Sequence, residues 1–317
     1  MIFEGTARAR RVKAAAAVAA GALLVALPPF LKPFPLSLLT QALIFAVFAM
    51  SLDVLLGYTS LPSLGHAGTF GVAAYAVAIL ATEHGAGFWT CLGAGLLSSL
   101  LVAAVFGLLA IRALGVYFLM ITLALGMVVW GLAFRWVSLT QGDNGISGIP
   151  RPTLLGAHAS VADPRAYYYL SLFVFALTLA LLSIAMRSPF GMSLRGIRDS
   201  EHRMRALGYS VWLHKYLAFL LSGTLAGVAG VLWSYYNGFV SPADAHLVTS
   251  VEVLLMVALG GPATLVGPAL GAGLIVFVKN VLSVYTQHWV MVVGALYICV
   301  ILFAPRGILG VLHGERR

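Results

Sequence analysis

The chain alternates long apolar blocks with short polar or glycine- and proline-rich breaks. Ten blocks approach the roughly 20 residues needed to cross a hydrocarbon core about 30 Å thick. They run over about Ala14 to Leu31, Ser37 to Leu56, Leu64 to Thr82, Phe88 to Ile111, Gly115 to Val137, Tyr168 to Met186, His214 to Tyr236, Thr249 to Gly261, Thr264 to Val284 and His288 to Ala304. Within a bilayer every backbone amide and carbonyl must be paired inside its own segment or in a closed barrel. Barrel strands alternate polar and apolar residues, and no such alternation is present. The pattern therefore predicts an all-α, polytopic integral membrane protein of about ten helices (8–10), forming a single membrane domain over residues 1–317.

Charge orients the spans. The segment 187–213 with Lys215 just beyond it holds Arg187, Arg195, Arg198, Arg203 and Arg205, and loops rich in Lys and Arg stay cytoplasmic. Parity then puts both termini inside and the loop 138–167 outside, where Asp143, Arg151, Asp163 and Arg165 cancel. Trp89, Trp136, Tyr167, Tyr168, Tyr169, Tyr235, Tyr236, Tyr285 and Trp289 all fall at the outer ends, the headgroup level that Trp and Tyr favour. Five spans starting inside followed by five starting outside permit an inverted 5+5 repeat, although no internal sequence similarity accompanies it. The start, with Arg8, Arg10, Arg11 and Lys13 before an alanine-rich stretch to Leu27, reads as a retained first helix or as a signal peptide.

Composition agrees with this class and narrows it. Of the 317 residues 61% are hydrophobic and 9% charged, against about 25% charged in soluble domains. The net charge of +9 is accounted for by the orienting arginines, not by nucleic acid. Cys91 and Cys299 each sit in an apolar run and form no metal or disulfide framework. No GxxxxGK[ST] loop, no pair of histidines at metal spacing and no glycine-flanked nucleophilic serine occurs. The sequence points to passage across a bilayer, not to covalent chemistry, with no catalytic residue, no metal and no cofactor on this chain.

Two junctions break the helical pattern: Gly57 to His66, which contains Pro62, and Gly260 to Pro268, which contains Pro262. Irregular backbone at membrane depth is tolerated where it is buried in protein or lines a watery cavity. Ser63, Gly65, His66, Gly260, Gly261 and Gly267 are thus candidates for the translocation path, with close helix packing as the competing role for the glycines. Gly223 with Gly227, and Gly267 with Gly271, have the four-residue spacing of packing faces. Asp53 and Glu252 lie inside spans, and an ionisable group there has either a pathway role or a capping one near the span end. On the outer loop, Asn144 and Gly145 suit contact with a delivering protein or a left-handed turn.

The segment Ser193 to Gly208 places Leu194, Ile197, Met204 and Leu207 near helical spacing among charged residues, which predicts a short amphipathic helix. It lies on lipid headgroups or docks in the groove of a soluble partner. Here several motifs carry a resemblance. Arg195-Gly-Ile-Arg-Asp-Ser-Glu201 with Ala206-Leu-Gly208 resembles the coupling loop of the branched-chain amino acid ABC importer permeases, M-type subunit. Gly57-Tyr58 with Ser63-Leu-Gly-His-Ala67 is similar to that family's motif after the second helix, and Leu139-Thr-Gln-Gly-Asp-Asn-Gly-Ile-Ser-Gly-Ile-Pro150 to its outer-loop signature. Val251-Glu252-Val-Leu-Leu-Met256, Gly260-Gly261 and Pro305-Arg306-Gly-Ile-Leu309 resemble its C-terminal half, so the likeness runs from about Ser51 to Gly310. At Ser60-Leu61-Pro62 the chain departs from the glycine-glutamine pair common in the family.

The resemblance implies an inner-membrane heterodimer with an H-type permease, two cytoplasmic ATPases that bind the ATP, and a periplasmic binding protein. It implies that Arg195, Arg198, Asp199, Glu201 and Gly208 belong to the ATPase-coupling segment, with Ile197, Met204 and Leu207 as apolar anchors. Leucine, isoleucine and valine are the implied substrates, while related permeases handle urea, short amides and other small solutes. A stand-alone ion-coupled carrier or channel for such solutes is the alternative, and the scarcity of titratable groups deep in the spans favours external power.

Overall fold

The computed structural model describes residues 21–113, 115–152 and 163–285 and, singly, Met291, Gly294, Ala295, Ile298 and Gly307. The first apolar block is described only from residue 21, the last, His288 to Ala304, only at Met291, Gly294, Ala295 and Ile298, and the C-terminal motif only at Gly307. Ten main-chain helices are named here as α1 (Pro33–Thr59), α2 (His66–Glu83), α3 (Phe88–Ala110), α4 (Val116–Arg135), α5 (Pro164–Arg187), α6 (Pro189–Asp199), α7 (Glu201–Ala206), α8 (Val211–Asn237), α9 (Leu247–Gly260) and α10 (Val266–Tyr285). A two-residue antiparallel pair, β1 (Ile146–Ser147) and β2 (Phe239–Val240), joins Ile146 to Val240 across the end opposite α6 and α7.

Six of these helices, α1, α3, α4, α5, α8 and α10, are long and apolar enough to cross a membrane, so the chain is an all-α polytopic protein. α9 is apolar but has 14 residues, about 21 Å at 1.5 Å per residue, short of a full crossing. Proline at the first turn starts α1, α5 and α6, where its missing N–H costs no helical bond and its fixed φ is already helical. α8 stops at Gly238, whose φ of +65° lets its N–H return to the carbonyl of Ser234, the left-handed cap that glycine adopts without steric cost.

α1 and α8 form the centre. Their most apolar stretches are 78% and 67% buried, against 22% to 33% for the other four long helices, which surround them. That difference decides which faces meet protein and which meet lipid. One face of α8 carries Gly223, Gly227 and Gly230, packed on Ala103 and Ser99 of α3 and on the backbone of Phe70 in α2. The spacing read from the sequence as a packing face is therefore the α8 contact with its neighbours. In lipid such contacts rest on dispersion and close backbone approach, since burying apolar surface gains little against hydrocarbon tails. Phe45, Phe48 and Phe70 add a ring cluster beside it, with Phe48 and Phe70 stacked at 4.5 Å.

The two broken junctions are real interruptions. After α1 ends at Thr59, with Ser60 left-handed at φ +54°, the chain turns back. It starts α2 at His66, beside Ser51, about 12 Å up α1 from its end. The second junction joins α9 to α10 through Gly261 (φ +109°), Ala263 (+64°) and Leu265 (+58°). A third interruption, not expected from the apolar pattern, is Ser241 to His246. It descends from β2 so far that Ala245 lies against Gly71, more than a turn inside α2.

Gly230→Val sets a branched side chain against the Phe70 carbonyl, and overpacking of this kind costs about 1–3 kcal/mol. The expected result is a lower melting temperature in detergent. Gly131→Ala, at a helical glycine with nothing within 4 Å of an added Cβ, changes stability by less than about 0.5 kcal/mol.

Candidate functional site

The arginine-rich end is assembled around the last turn of α1. Arg198 of α6 donates from Nη1 to the carbonyl oxygen of Gly57 at 2.9 Å. The Arg195 guanidinium lies 5.2 Å from the centre of the Tyr58 ring, within cation–π range. α7 is capped by Ser200, whose hydroxyl accepts from the N–H of Arg203. Glu201 receives Arg205 at 3.2 Å and also Lys215 from the first turn of α8. Two short helices are thereby fixed to both central helices.

The amphipathic reading needs one correction. Ile197 and Met204 are buried and pack with Val211 in a cluster of their own, so they hold α6 and α7 on α8 and do not offer an apolar face to another protein. The thioether of Met204 also fills the space over Gly196. Leu207 is 72% exposed and Met192 59% exposed, with the Asp199 side chain also exposed. Gly208, at φ +85°, ends this segment in the left-handed conformation. The helical period identified which positions are apolar, but both an internal and an external partner satisfy the same period.

One turn deeper, Asp53 accepts from the N–H of Ala263 at 2.7 Å and from that of Leu265 at 3.3 Å. These amides belong to the α9–α10 turn, and both residues hold left-handed backbone that costs non-glycine residues roughly 1–2 kcal/mol each. Thr264 closes the turn, donating to the carbonyl of Gly261 at 2.7 Å and accepting from the N–H of Gly267 at 3.0 Å. Asp53 is therefore a capping residue for a neighbouring turn, one of the two roles its sequence position permits. Gly260, Gly261 and Gly267 are buried here. Gly260 and Gly267 meet backbone to backbone, and Gly307 lies against Gly261.

The first junction is satisfied by side chains from three helices. Thr122 of α4 accepts from the N–H of Leu64 at 3.2 Å, and Ser250 of α9 accepts from the N–H of Ala67 at 2.9 Å. His66 shares a 2.8 Å hydrogen bond with Ser51 and stacks on Phe48 at 5.4 Å. Its place is that of a satisfied core histidine. Gly65 lies against the Thr122 carbonyl, and Ser63 is buried with its hydroxyl unpaired among the described residues. The six residues expected along a path thus form two packed junctions, and none lines either of two cavities bounded by described residues.

Those cavities lie toward the opposite end. One, of about 340 Å³, is bounded by Pro33, Ser37, Arg151, Tyr167, Tyr235 and Tyr236, among others. The second, of about 350 Å³, is set among α1, α2, α8, α9 and α10. It holds Glu252, paired with Lys279 at 2.9 Å and 3.1 Å, and Asp244, which accepts from Trp233 Nε1 at 2.8 Å and from the Ser241 N–H at 2.9 Å. Glu252 stood out in the sequence but its partner did not. Lys279 lies 27 residues on in another apolar span, and antiparallel packing of α9 and α10 brings the two together.

On the same end Asn144 is exposed and Gly145 is buried, with φ +66°. A Cβ at Gly145 would meet the Val240 carbonyl, so the glycine serves the turn that docks β1 on β2. Among the described residues no group of three or more His, Cys, Asp or Glu is arranged to hold a metal.

A sequence profile for the family described as branched-chain amino acid transport system / permease component matches residues 34–302. The high-affinity branched-chain amino acid transport system permease protein LivM of Salmonella typhimurium is 30% identical over 306 residues, covering 90% of this chain and 72% of that protein. LivM of Escherichia coli is 30% identical over 308 residues with the same coverage. The corresponding protein LivH of Salmonella typhimurium is 25% identical over 290 residues, 84% of this chain and 91% of its own. No solved structure matches the chain.

Asp53→Ala leaves two buried amides without acceptors, at about 1–3 kcal/mol each. The expected outcome is a large loss of thermal stability in detergent, with Asp53→Asn, which keeps one carbonyl acceptor, falling between the alanine variant and the parent.

Proposed function

Because the chain belongs to the family of branched-chain amino acid transport permease components, we propose that it is a membrane-spanning subunit of an ABC importer for these amino acids. It shares the translocation path with an H-type permease, and separate subunits hydrolyse the ATP. Similarity to both LivM and LivH supports two related permeases in one pore, with this chain on the M-type side. A periplasmic binding protein delivers the amino acid at the end that carries β1, β2 and the exposed Asn144. α6 and α7 lie in the cytoplasm, as their arginines require, and both termini lie on that side of the bacterial inner membrane.

Paired geometry supports ten spans in an inverted 5+5 plan. α1 and α8 each have 27 residues. Each is followed by an irregular re-entrant segment, 60–65 from one side and 241–246 from the other, and then by a shorter helix, α2 or α9, that begins within the membrane thickness. Discontinuous helices at equivalent positions of two opposed halves are a common plan in transporters.

The observation that carries the mechanism is the hydrogen bond from Arg198 to the Gly57 carbonyl, with Asp53 one turn away on the same helix. A push on α6 from an ATPase acts directly on the end of α1, and Asp53 passes it to the α9–α10 turn. A charge-assisted bond of this kind contributes about 1.5–3 kcal/mol, enough to keep the segments moving as one body. The surface available for docking is Leu207, Met192 and Asp199, since Ile197 and Met204 face inward. Selectivity lies mainly in the binding protein, since a path that held substrate tightly would stall its release.

Reconstituting this chain with the H-type permease, both ATPases and the binding protein in liposomes tests the reading: leucine uptake should require ATP on the ATPase side. Leu207→Glu should lower both uptake and leucine-stimulated ATPase activity by about tenfold, ~1.4 kcal/mol of lost docking, with an unchanged melting temperature for the isolated permease. ATP-independent uptake by this chain alone would refute the assignment.

A further inference from the structure

The arginine-side ends of α3 and α8 meet in a seam that the coupling mechanism leaves unused. Trp212, in the first turn of α8, stacks on Tyr216 with ring centres 5.1 Å apart and planes 10° from parallel. Tyr216 in turn covers Gly107 of α3, where an added Cβ would come within 3.0 Å of its ring, and its hydroxyl donates to the Ala104 carbonyl at 3.5 Å. Trp212 lies four residues before Tyr216, and Arg112 lies five after Gly107. At 1.5 Å per residue these steps are about 6 Å and about 7.5 Å toward the same end, so Trp212 and Arg112 flank the seam at nearly one level. The Arg112 side chain is exposed and has no hydrogen bond or ion pair among the described residues. It does not cap α3, whose Gly107 and Ala110 carbonyls receive the N–H groups of Ile111 and Ala113.

Away from this charged rim the seam is apolar. Leu109 of α3 and Leu213 and Leu217 of α8 are exposed, whereas Val211 and Lys215, on another side of α8, are buried against α6 and α7. Leu217 is six residues inside α8, about 9 Å from its start, so the strip runs into the bilayer, away from a soluble subunit docked on α6 and α7. Resting on the importer reading above for its sidedness, we propose that the seam binds an anionic phospholipid of the cytoplasmic leaflet. The phosphodiester sits on the Arg112 guanidinium, whose planar fork matches phosphate geometry. Trp212 donates its indole N–H at the headgroup level that Trp favours, and an acyl chain lies along Leu109, Leu213 and Leu217. A zwitterionic lipid leaves Arg112 uncompensated, since its own ammonium already balances its phosphate. An anionic lipid neutralises the arginine, and one basic side chain near the surface contributes about 1 kcal/mol toward such lipid, a preference of about fivefold.

The test uses the purified complex of this chain with its permease and ATPase partners, reconstituted in liposomes of equal parts phosphatidylglycerol and phosphatidylcholine. Bromine, which quenches tryptophan fluorescence on contact, is placed on the acyl chains of one lipid or of the other, so that the surface charge never changes. Subtracting the matching Trp212→Phe complex isolates the signal of Trp212. In the parent that signal should report phosphatidylglycerol favoured by about fivefold. Arg112→Gln should make the two lipids equal, and Arg112→Lys should keep the preference. Arg187→Gln, which removes an exposed arginine from α5, a helix packed on α1 and α6, should leave it as in the parent. A parent without preference, a preference that survives Arg112→Gln, or one that Arg187→Gln also abolishes overturns the site. If the Trp212→Phe complex fails to assemble, native mass spectrometry counts the phosphatidylglycerol retained by the parent and by Arg112→Gln: fewer molecules on the variant supports the site, and equal numbers overturn it. Leucine uptake with the binding protein is scored on the same liposomes. A parent that imports leucine but shows no lipid preference sinks the lipid site alone, whereas one that imports no branched-chain amino acid sinks the importer reading itself.

Discussion

Everything in this fold depends on pairing backbone amides where helices are broken inside a bilayer. A freed N–H in hydrocarbon finds no water, so each interruption must bring its own acceptors. The chain supplies them from distant helices: Thr122 for Leu64, Ser250 for Ala67, and Asp53 for Ala263 and Leu265. The third interruption carries its own acceptor, since Asp244 closes a capping box with Ser241. These few small polar side chains tie particular helices together, because each amide left without its acceptor costs about 1–3 kcal/mol.

The same bonds explain why the arginine-rich end is mechanically joined to the interior. Asp53 and Gly57 occupy the last two turns of α1, so the α9–α10 turn and α6 both attach to one rigid rod. Lys215 adds α8 through Glu201. With α1 and α8 the most deeply buried of the long helices, a force applied to α6 and α7 reaches the centre of the bundle directly. A helix that lay free on the headgroups would need none of these bonds.

Much of this was legible in the sequence, for a physical reason. Hydrophobic length and arginine placement report directly on the bilayer, so the long helices and the arginine-rich segment follow from pattern alone. The glycine face of α8 also followed, because four-residue spacing is a property of the helix itself. What the pattern cannot carry is partner identity. Ile197 and Met204 repeat at helical spacing whether they pack on α8 or on another protein, and Gly260 and Gly267 mark a break whether it is filled or open. Lys279 was invisible as the partner of Glu252 because the pairing depends on the register of two antiparallel helices, and the re-entrant 241–246 segment was hidden because its residues look like an ordinary loop.

Those unreadable features are the ones that separate filled junctions from open space. The junctions marked by glycine and proline are closed by backbone contact, as the Gly260 to Gly267 approach shows. Open volume lies instead beside Arg151 and Tyr235, and where α1, α2, α8, α9 and α10 leave a gap around an ion pair. In a bilayer a closed junction and a polar gap serve different ends. The first lets the chain change direction without exposing amides, and the second holds a neutral but locally charged surface inside the bundle. The glycines therefore locate the turns at which helices begin and end, while the charges border space that those turns do not line.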